Sequence, residues 1–136
     1  MPEPHIGGLV AGAVLHRLVR RRLVPGRMGH AVGWPLVAAG SSIVVWAVHA
    51  ADEIDVEAPE RLVAEGPYAY SRNPMYLAWT LLYAGTSFVL NSSWPLRLLP
   101  LVLGATHAVV LREERDLEAR FGTSYRSYKA RVRRYL

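Results

Sequence analysis

Two long stretches of this chain carry almost no charge, and this constrains the fold more than any other feature. Residues 28–51 and 73–111 together make 63 residues with one formally charged side chain, Arg97. The other 73 residues hold 26 of the 27 charges. A helix in water needs a polar face, and a chain of 136 residues has too little of itself to cover two such blocks. A soluble globular domain, a disordered tail and a soluble nucleic-acid binder are all disfavoured, and an integral membrane protein is favoured.

An apolar core about 30 Å thick takes about 20 helical residues. Residues 32–51 provide 20 without a formal charge, with Trp34 and His49 near the ends, where interfacial side chains belong. Residues 76–90 and 95–111 are two further apolar runs joined by Asn91-Ser92-Ser93-Trp94. So short and polar a turn predicts an antiparallel helical hairpin. The first run, 6–15, continues through His16-Arg17 into Arg20, Arg21 and Arg22, whose long side chains can reach the headgroups. It ends in no small-residue cleavage site and has no basic residue before it, so a span is expected rather than a secretory signal. Gly8 and Gly12 form a G-x-x-x-G step there, which permits close helix contact. The expected architecture is all-α: a single domain over 1–136 with about four transmembrane helices, at 6–22, 32–51, 75–90 and 95–111, and a C-terminal amphipathic helical segment, 112–136.

The charges lie between and beyond these runs. Residues 52–72 hold six carboxylates (Asp52, Glu53, Asp55, Glu57, Glu60, Glu65) against Arg61 and Arg72. The tail, 112–136, holds eight basic and four acidic residues. With four spans, the 52–72 loop and the tail share one face, which carries ten Lys and Arg against six on the other. The bias of basic residues toward the cytoplasm makes that face cytoplasmic, in an inner membrane. Membrane lipids are the expected partners of the basic tail, and nucleic acid is not.

The absence of cysteine removes thiol nucleophiles, disulfides and thiolate metal sites. None of the five histidines (His5, His16, His30, His49, His107) has a metal-ligand spacing with another histidine or with a carboxylate inside a span, so no metal is expected. No carboxylate lies within a span either, which counts against a proton-coupled transporter.

Two blocks can carry chemistry. The first is GPYAYSRNPMY, residues 66–76. Asn73 before Pro74 marks a helix start, with Asn as N-cap and Pro in the first turn. The free N–H groups of that turn, with Arg72 beside them, suit a carboxylate or phosphate. Tyr68, Tyr70 and Tyr76 add flat amphipathic surfaces. The same residues also read as a helix cap within an interfacial aromatic belt. The second block opens with Glu113-Glu114 at the exit of the fourth run. Two adjacent carboxylates there need solvent or partners. Either Arg112 and Arg115 neutralise them at headgroup level, or they belong to a site. The hairpin returns them to the face that holds Arg72-Asn73-Pro74, so one cleft could offer an anion site, carboxylates and tyrosines to a zwitterionic, cationic cofactor. Beyond them Leu117, Phe121, Tyr125, Tyr128 and Val132 form one helical stripe interrupted at Gly122, the pattern of a surface helix on lipid or of a lid.

Together the two blocks resemble the isoprenylcysteine carboxyl methyltransferase and phospholipid methyltransferase family of membrane enzymes. Gly66, Pro67, Tyr68, Tyr70, Arg72, Asn73, Pro74 and Tyr76 match its first motif. Glu113, Glu114, Leu117, Phe121, Gly122, Tyr125, Tyr128 and Val132 match the motif that follows the hairpin. The resemblance covers about residues 32–136. It implies S-adenosylmethionine as methyl donor at the cytosolic membrane face and a lipophilic small molecule or lipid as acceptor, presented as a carboxylate, thiol or amine. Carried over by position, Tyr68, Arg72, Asn73, Pro74, Tyr76, Glu113, Glu114 and Tyr125 are the expected cofactor-site residues, with Arg72 and Glu114 also at the reacting end as the catalytic pair. Three positions depart from the family pattern. Asn73 replaces the histidine of the prenylcysteine enzymes, Ala78 replaces a frequent glycine, and the ending Val-Arg-Arg-Tyr-Leu replaces Val-Pro-Arg, for which a more helical last turn is expected. The alternative function is a non-catalytic membrane scaffold or interaction protein that keeps the same fold.

Overall fold

The computed structural model describes residues 2–24, 27–52 and 62–136. The acidic stretch 53–61 lies outside the described residues. The described residues form helices and no strand: α1 (Glu3–Leu18), α2 (Met28–Asp52), a short 3-10 turn (Gly66–Ala69), α3 (Pro74–Val89) and α4 (Ser93–Arg131).

Backbone approach at small residues sets how the helices pair. Along α2 and α3, a Cβ added at Gly33 would stand 2.7 Å from the Gly85 carbonyl oxygen, and one at Gly40 would stand 2.9 Å from that of Ala78. The pairs 33–85 and 40–78 run in opposite senses, so α2 and α3 are antiparallel. Ala78 is fully buried at this contact, and its methyl is accommodated where a glycine was the usual residue. The G-x-x-x-G step of α1 faces α4. A Cβ at Gly12 would meet the Pro95 backbone nitrogen at 2.8 Å, and one at Gly8 would meet Val102 and Tyr83 side-chain atoms at 2.5–3.0 Å. In a bilayer, where apolar burial gives helices little drive to associate, such close packing is a main source of cohesion.

The α3–α4 hairpin forms as expected. Asn91 takes the left-handed conformation (φ 47°) that Asn tolerates better than most residues. Its side chain accepts from the amides of Leu23 and Val24 and donates to the Val24 carbonyl, fastening the α1–α2 connection to the hairpin tip. The Tyr83 hydroxyl donates to the Pro95 carbonyl at 2.6 Å across the hairpin.

Three expectations are corrected. The first helix ends at Leu18, so Arg20, Arg21 and Arg22 lie beyond it in irregular chain. The fourth helix does not stop where charge begins at Arg112. It runs to Phe121, 29 residues or about 43 Å, because charged residues are good helix formers; Pro100 removes one ladder bond within it, but the first residue with non-helical backbone angles is Gly122. Gly122 (φ 52°, ψ −119°) then reverses the chain. Lys129 reaches Glu118 at 3.1 Å, although residues 11 apart would be separated by about 16 Å in a straight helix. Finally, the chain end is not helical: Val132 is extended, and Arg133 pairs with Ser71 in an isolated parallel bridge.

Among the described residues, two helices, Met28–Ala51 and Ser93–Arg131, are long and apolar enough to cross a membrane. With 16 residues each, α1 and α3 rise about 24 Å, short of a full apolar core. Charge begins at Arg112, so Glu113, Glu114 and everything after them stand outside the apolar stretch of α4.

Candidate active site

The start of α3, the midpoint of α4 and the chain end meet at one end of the bundle. The 3-10 turn presents Tyr68, and residues 70–73 carry Arg72 and Asn73 to the N-terminus of α3. Asn73 occupies the N-cap position but makes no side-chain cap. Its amide instead donates to the Arg134 carbonyl at 3.1 Å, beside the Arg72 N–H to Arg133 carbonyl bond at 2.9 Å. The expected cap is thereby replaced by a clasp on the chain end. Where the tail after Gly122 folds back, Tyr125 and Tyr128 are buried, and the Tyr128 hydroxyl donates to the Tyr68 carbonyl at 2.7 Å.

Glu114 is the electrostatic centre. It is 5% exposed and faces two guanidinium groups. Arg134 Nη2 lies 2.9 Å from Oε2, and Arg134 Nε lies 3.1–3.2 Å from both carboxylate oxygens. Arg72 Nη2 lies 3.3 Å from Oε1. Burial pushes the Glu114 carboxyl upward, but the Arg134 hydrogen bond and the charges of Arg72 and Arg134 outweigh it and hold the group below the usual carboxylate range. Glu113 accepts from the Tyr76 hydroxyl at 2.8 Å. For Glu114 the neutralising partners are Arg134 and Arg72. Arg115 Nε donates instead to the Leu111 carbonyl of its own helix. Burial, and after it the neighbouring Tyr125, pushes the Tyr128 phenol up to about 12, so it stays a donor across the physiological range.

A cavity of about 430 Å³ opens here, within the size range of small-molecule sites. All eight residues singled out from the sequence line it: Tyr68, Arg72, Asn73, Pro74, Tyr76, Glu113, Glu114 and Tyr125. Tyr70, also noted, lies outside, exposed and tilted against Trp46. Sequence reasoning missed Met75 and Trp79 in the wall, and Pro2, which α1 brings close; it noted Leu117 in the second motif without assigning it to the site. Trp79 was findable, because it follows Tyr76 by three residues and shares its helix face. Arg134 was also missed.

Among the described residues, several buried polar atoms here find no hydrogen-bond partner. They are Arg72 Nε and Nη1 and the Tyr125 hydroxyl. Leaving a buried charged donor unsatisfied costs more than about 1–3 kcal/mol, so such atoms call for ordered water or a bound group close by. Together the wall offers cationic donors, two carboxylates and aromatic faces within one small volume.

The model of the phospholipid methyltransferase family matches residues 28–124, which contain both sequence blocks up to Gly122. No curated protein and no solved structure matches the chain.

Proposed function

The chain belongs to the phospholipid methyltransferase family, membrane methyltransferases of lipid-type substrates, and from that premise we propose that the cavity around Glu114 binds S-adenosylmethionine. The supporting observation is the convergence of two blocks, 37 or more residues apart, on one cavity lined by Arg72 and Tyr125, of which Arg72 Nε and Nη1 and the Tyr125 hydroxyl are buried with no hydrogen-bond partner among the described residues. The group fits the donors present. Its carboxylate suits the free nitrogens of Arg72, its cationic groups suit Glu113 and Glu114, and its base suits the faces of Tyr68, Tyr125 and Trp79. When bound, it supplies a methyl group on a sulfonium, ready for in-line transfer.

The chain's own residues orient and desolvate. Arg134 and Arg72 hold Glu114 ionised, so a carboxylate is available without proton exchange near neutral pH. Tyr76 fixes Glu113 by donating to it. The segment after Gly122 covers the site with Tyr125 and Tyr128 and excludes water, the role of a lid. Arg72 and Glu114 stand at the reacting end. A thiolate or carboxylate acceptor needs no base, whereas an amine acceptor could lose its proton to Glu113.

The whole chain acts as one unit that crosses the inner membrane four times, with the site facing the cytoplasm. The antiparallel pairing of α1 with α4 and of α2 with α3 supports this, since two full-length crossing helices each carry a shorter partner along their length. The scaffold alternative leaves the unpartnered Arg72 and Tyr125 donors without a purpose.

The test is calorimetric titration of the detergent-purified protein with S-adenosylmethionine. Saturable binding is expected, weakened about 10–150-fold in Arg72→Ala by loss of a charge-assisted hydrogen bond. Absence of heat at millimolar cofactor overturns the proposal in favour of the scaffold.

A further inference from the structure

Charge is divided between the two ends of this molecule in a way that the candidate site does not explain. No Asp or Glu occurs between Glu3 and Asp52, or between Glu65 and Glu113. Six arginines from those stretches gather where α1 stops, α2 starts and the α3–α4 hairpin turns. They are Arg17, Arg20, Arg21, Arg22, Arg27 and Arg97. All six are exposed, and among the described residues none has a carboxylate partner. At the other end Arg72, Lys129 and Arg134 each meet a carboxylate.

The backbone that carries these cations is fastened in place. The Ser93 amide donates to the Arg21 carbonyl at 3.0 Å, and the Trp94 indole donates to the Val19 carbonyl at 2.8 Å. Asn91 holds Leu23 and Val24. Residues 19–24 are thereby bound across the hairpin tip, and Arg97 stands over the Trp94 ring at 5.4 Å. Helix dipoles account for only one of the six. Arg17 lies in the last turn of α1, where a cation is favoured. Arg20, Arg21 and Arg22 lie beyond it, and Arg27 and Arg97 stand at the starts of α2 and α4, where a cation is disfavoured. Apolar side chains interleave with the charges. Leu18 and Val19 are exposed between Arg17 and Arg20, and Met28 is exposed beside Arg27.

We propose that this arginine rim binds anionic phospholipid headgroups, in the leaflet opposite the candidate active site. Guanidinium forks match phosphate oxygens and stay charged throughout the physiological range. The exposed Leu18, Val19 and Met28 favour a phosphate that carries acyl chains over one free in solution. A zwitterionic headgroup brings its own ammonium, so it relieves the repulsion among six cations less than a net-negative one does. The binding requires only that the chain sits in a bilayer. Neither methyl transfer nor the compartment that the rim faces enters it.

The test titrates the full chain in detergent with dioleoylphosphatidylglycerol and with dioleoylphosphatidylcholine, counting bound lipids by native mass spectrometry. Saturable phosphatidylglycerol adducts are expected at concentrations about tenfold below those needed for phosphatidylcholine. An arginine near an anionic surface is worth about fivefold in affinity. The triple variant Arg20→Gln/Arg21→Gln/Arg22→Gln should therefore weaken phosphatidylglycerol binding about 10–100-fold. Arg97→Gln, which leaves the 19–24 backbone untouched, should weaken it about 2–5-fold. Arg126→Gln/Arg131→Gln/Arg133→Gln removes as much charge from the other end and should cost far less. Equal weakening by the two triple variants means attraction by net charge alone and overturns the rim, as does parent-like binding in both rim variants. Phosphatidylcholine binding the parent as well as phosphatidylglycerol overturns the choice of an anionic head. Glycerophosphoglycerol, the same head without its chains, competing at equal concentration overturns the choice of a lipid.

Discussion

Replacing Arg134 by alanine should release the end of the chain without unfolding the helices. Four contacts hold that end to α4 and to the start of α3. They are the Arg134–Glu114 ion pair, the Asn73 and Ser71 bonds to the Arg134 carbonyl, and the Arg72 N–H to Arg133 carbonyl bond. The substitution removes only the first. A charge-assisted hydrogen bond contributes about 1.5–3 kcal/mol, and the Arg134 side chain is 33% exposed, so the lower end applies. The open population of the strap should rise about tenfold. The amide of Arg72 reports this directly, since its acceptor is the Arg133 carbonyl. Hydrogen exchange of the peptide bearing Arg72 should quicken about tenfold in Arg134→Ala, with exchange in α2 unchanged. Arg131→Ala is the control, because among the described residues Arg131 bonds only its own helix, at the Ser127 carbonyl. Glu114→Gln should be worse. It leaves Arg72, 8% exposed, without its carboxylate, a loss of about 3–5 kcal/mol that should lower the melting temperature as well. Equal exchange at Arg72 in Arg134→Ala and parent would refute the strap.

Other outcomes follow from the same contacts. Because Glu114 titrates below its unfolded value, the native state binds fewer protons than the unfolded state as pH falls. Its stabilisation is therefore complete above the unfolded carboxylate value and lost as pH drops through the folded one, and acid melts of Glu114→Gln should be flatter there than those of the parent. Gly12→Val should force α1 off Pro95 and cost about 1–3 kcal/mol, whereas Gly7→Ala, with open space around it, should be neutral or stabilising by thermal melt in detergent. Single cysteines at Ser127 and Arg22 should react with an impermeant maleimide from opposite sides of sealed vesicles, and labelling of both from one side contradicts the crossings. Tyr125→Ala should impair cofactor binding at unchanged net charge, while Lys129→Gln and Arg133→Gln should matter less. The reverse order makes the tail a lipid anchor rather than a lid.

The sequence made the site legible because membrane helices leave their polar residues at the ends. Once the uncharged runs were set aside, Arg72-Asn73-Pro74 and Glu113-Glu114 were the groups at one end of a hairpin, and the short Asn91 turn guaranteed that they would meet. What stayed hidden was pairing over distance. Eight basic residues of the tail were equivalent by composition, and only the reversal at Gly122 selects Arg134 for Glu114. The same reversal brings Tyr135 to His107, 28 residues back. Asn73 looked like a helix cap because its local spacing is that of a cap, but the returning chain end offered its amide a carbonyl. The extent of α4 was obscured by composition, since a change from apolar to charged residues marks a membrane boundary and not a helix end.

The central claim is methyl transfer from S-adenosylmethionine to a lipophilic acceptor, and one measurement reaches it most directly. Membranes containing the protein are incubated with donor labelled in its methyl group, and the label is followed into the organic extract. The account predicts a labelled lipophilic product that disappears with Arg72→Ala and with Glu113→Gln while both variants remain inserted. Label that stays wholly in the aqueous phase, from protein that binds the donor, would contradict it.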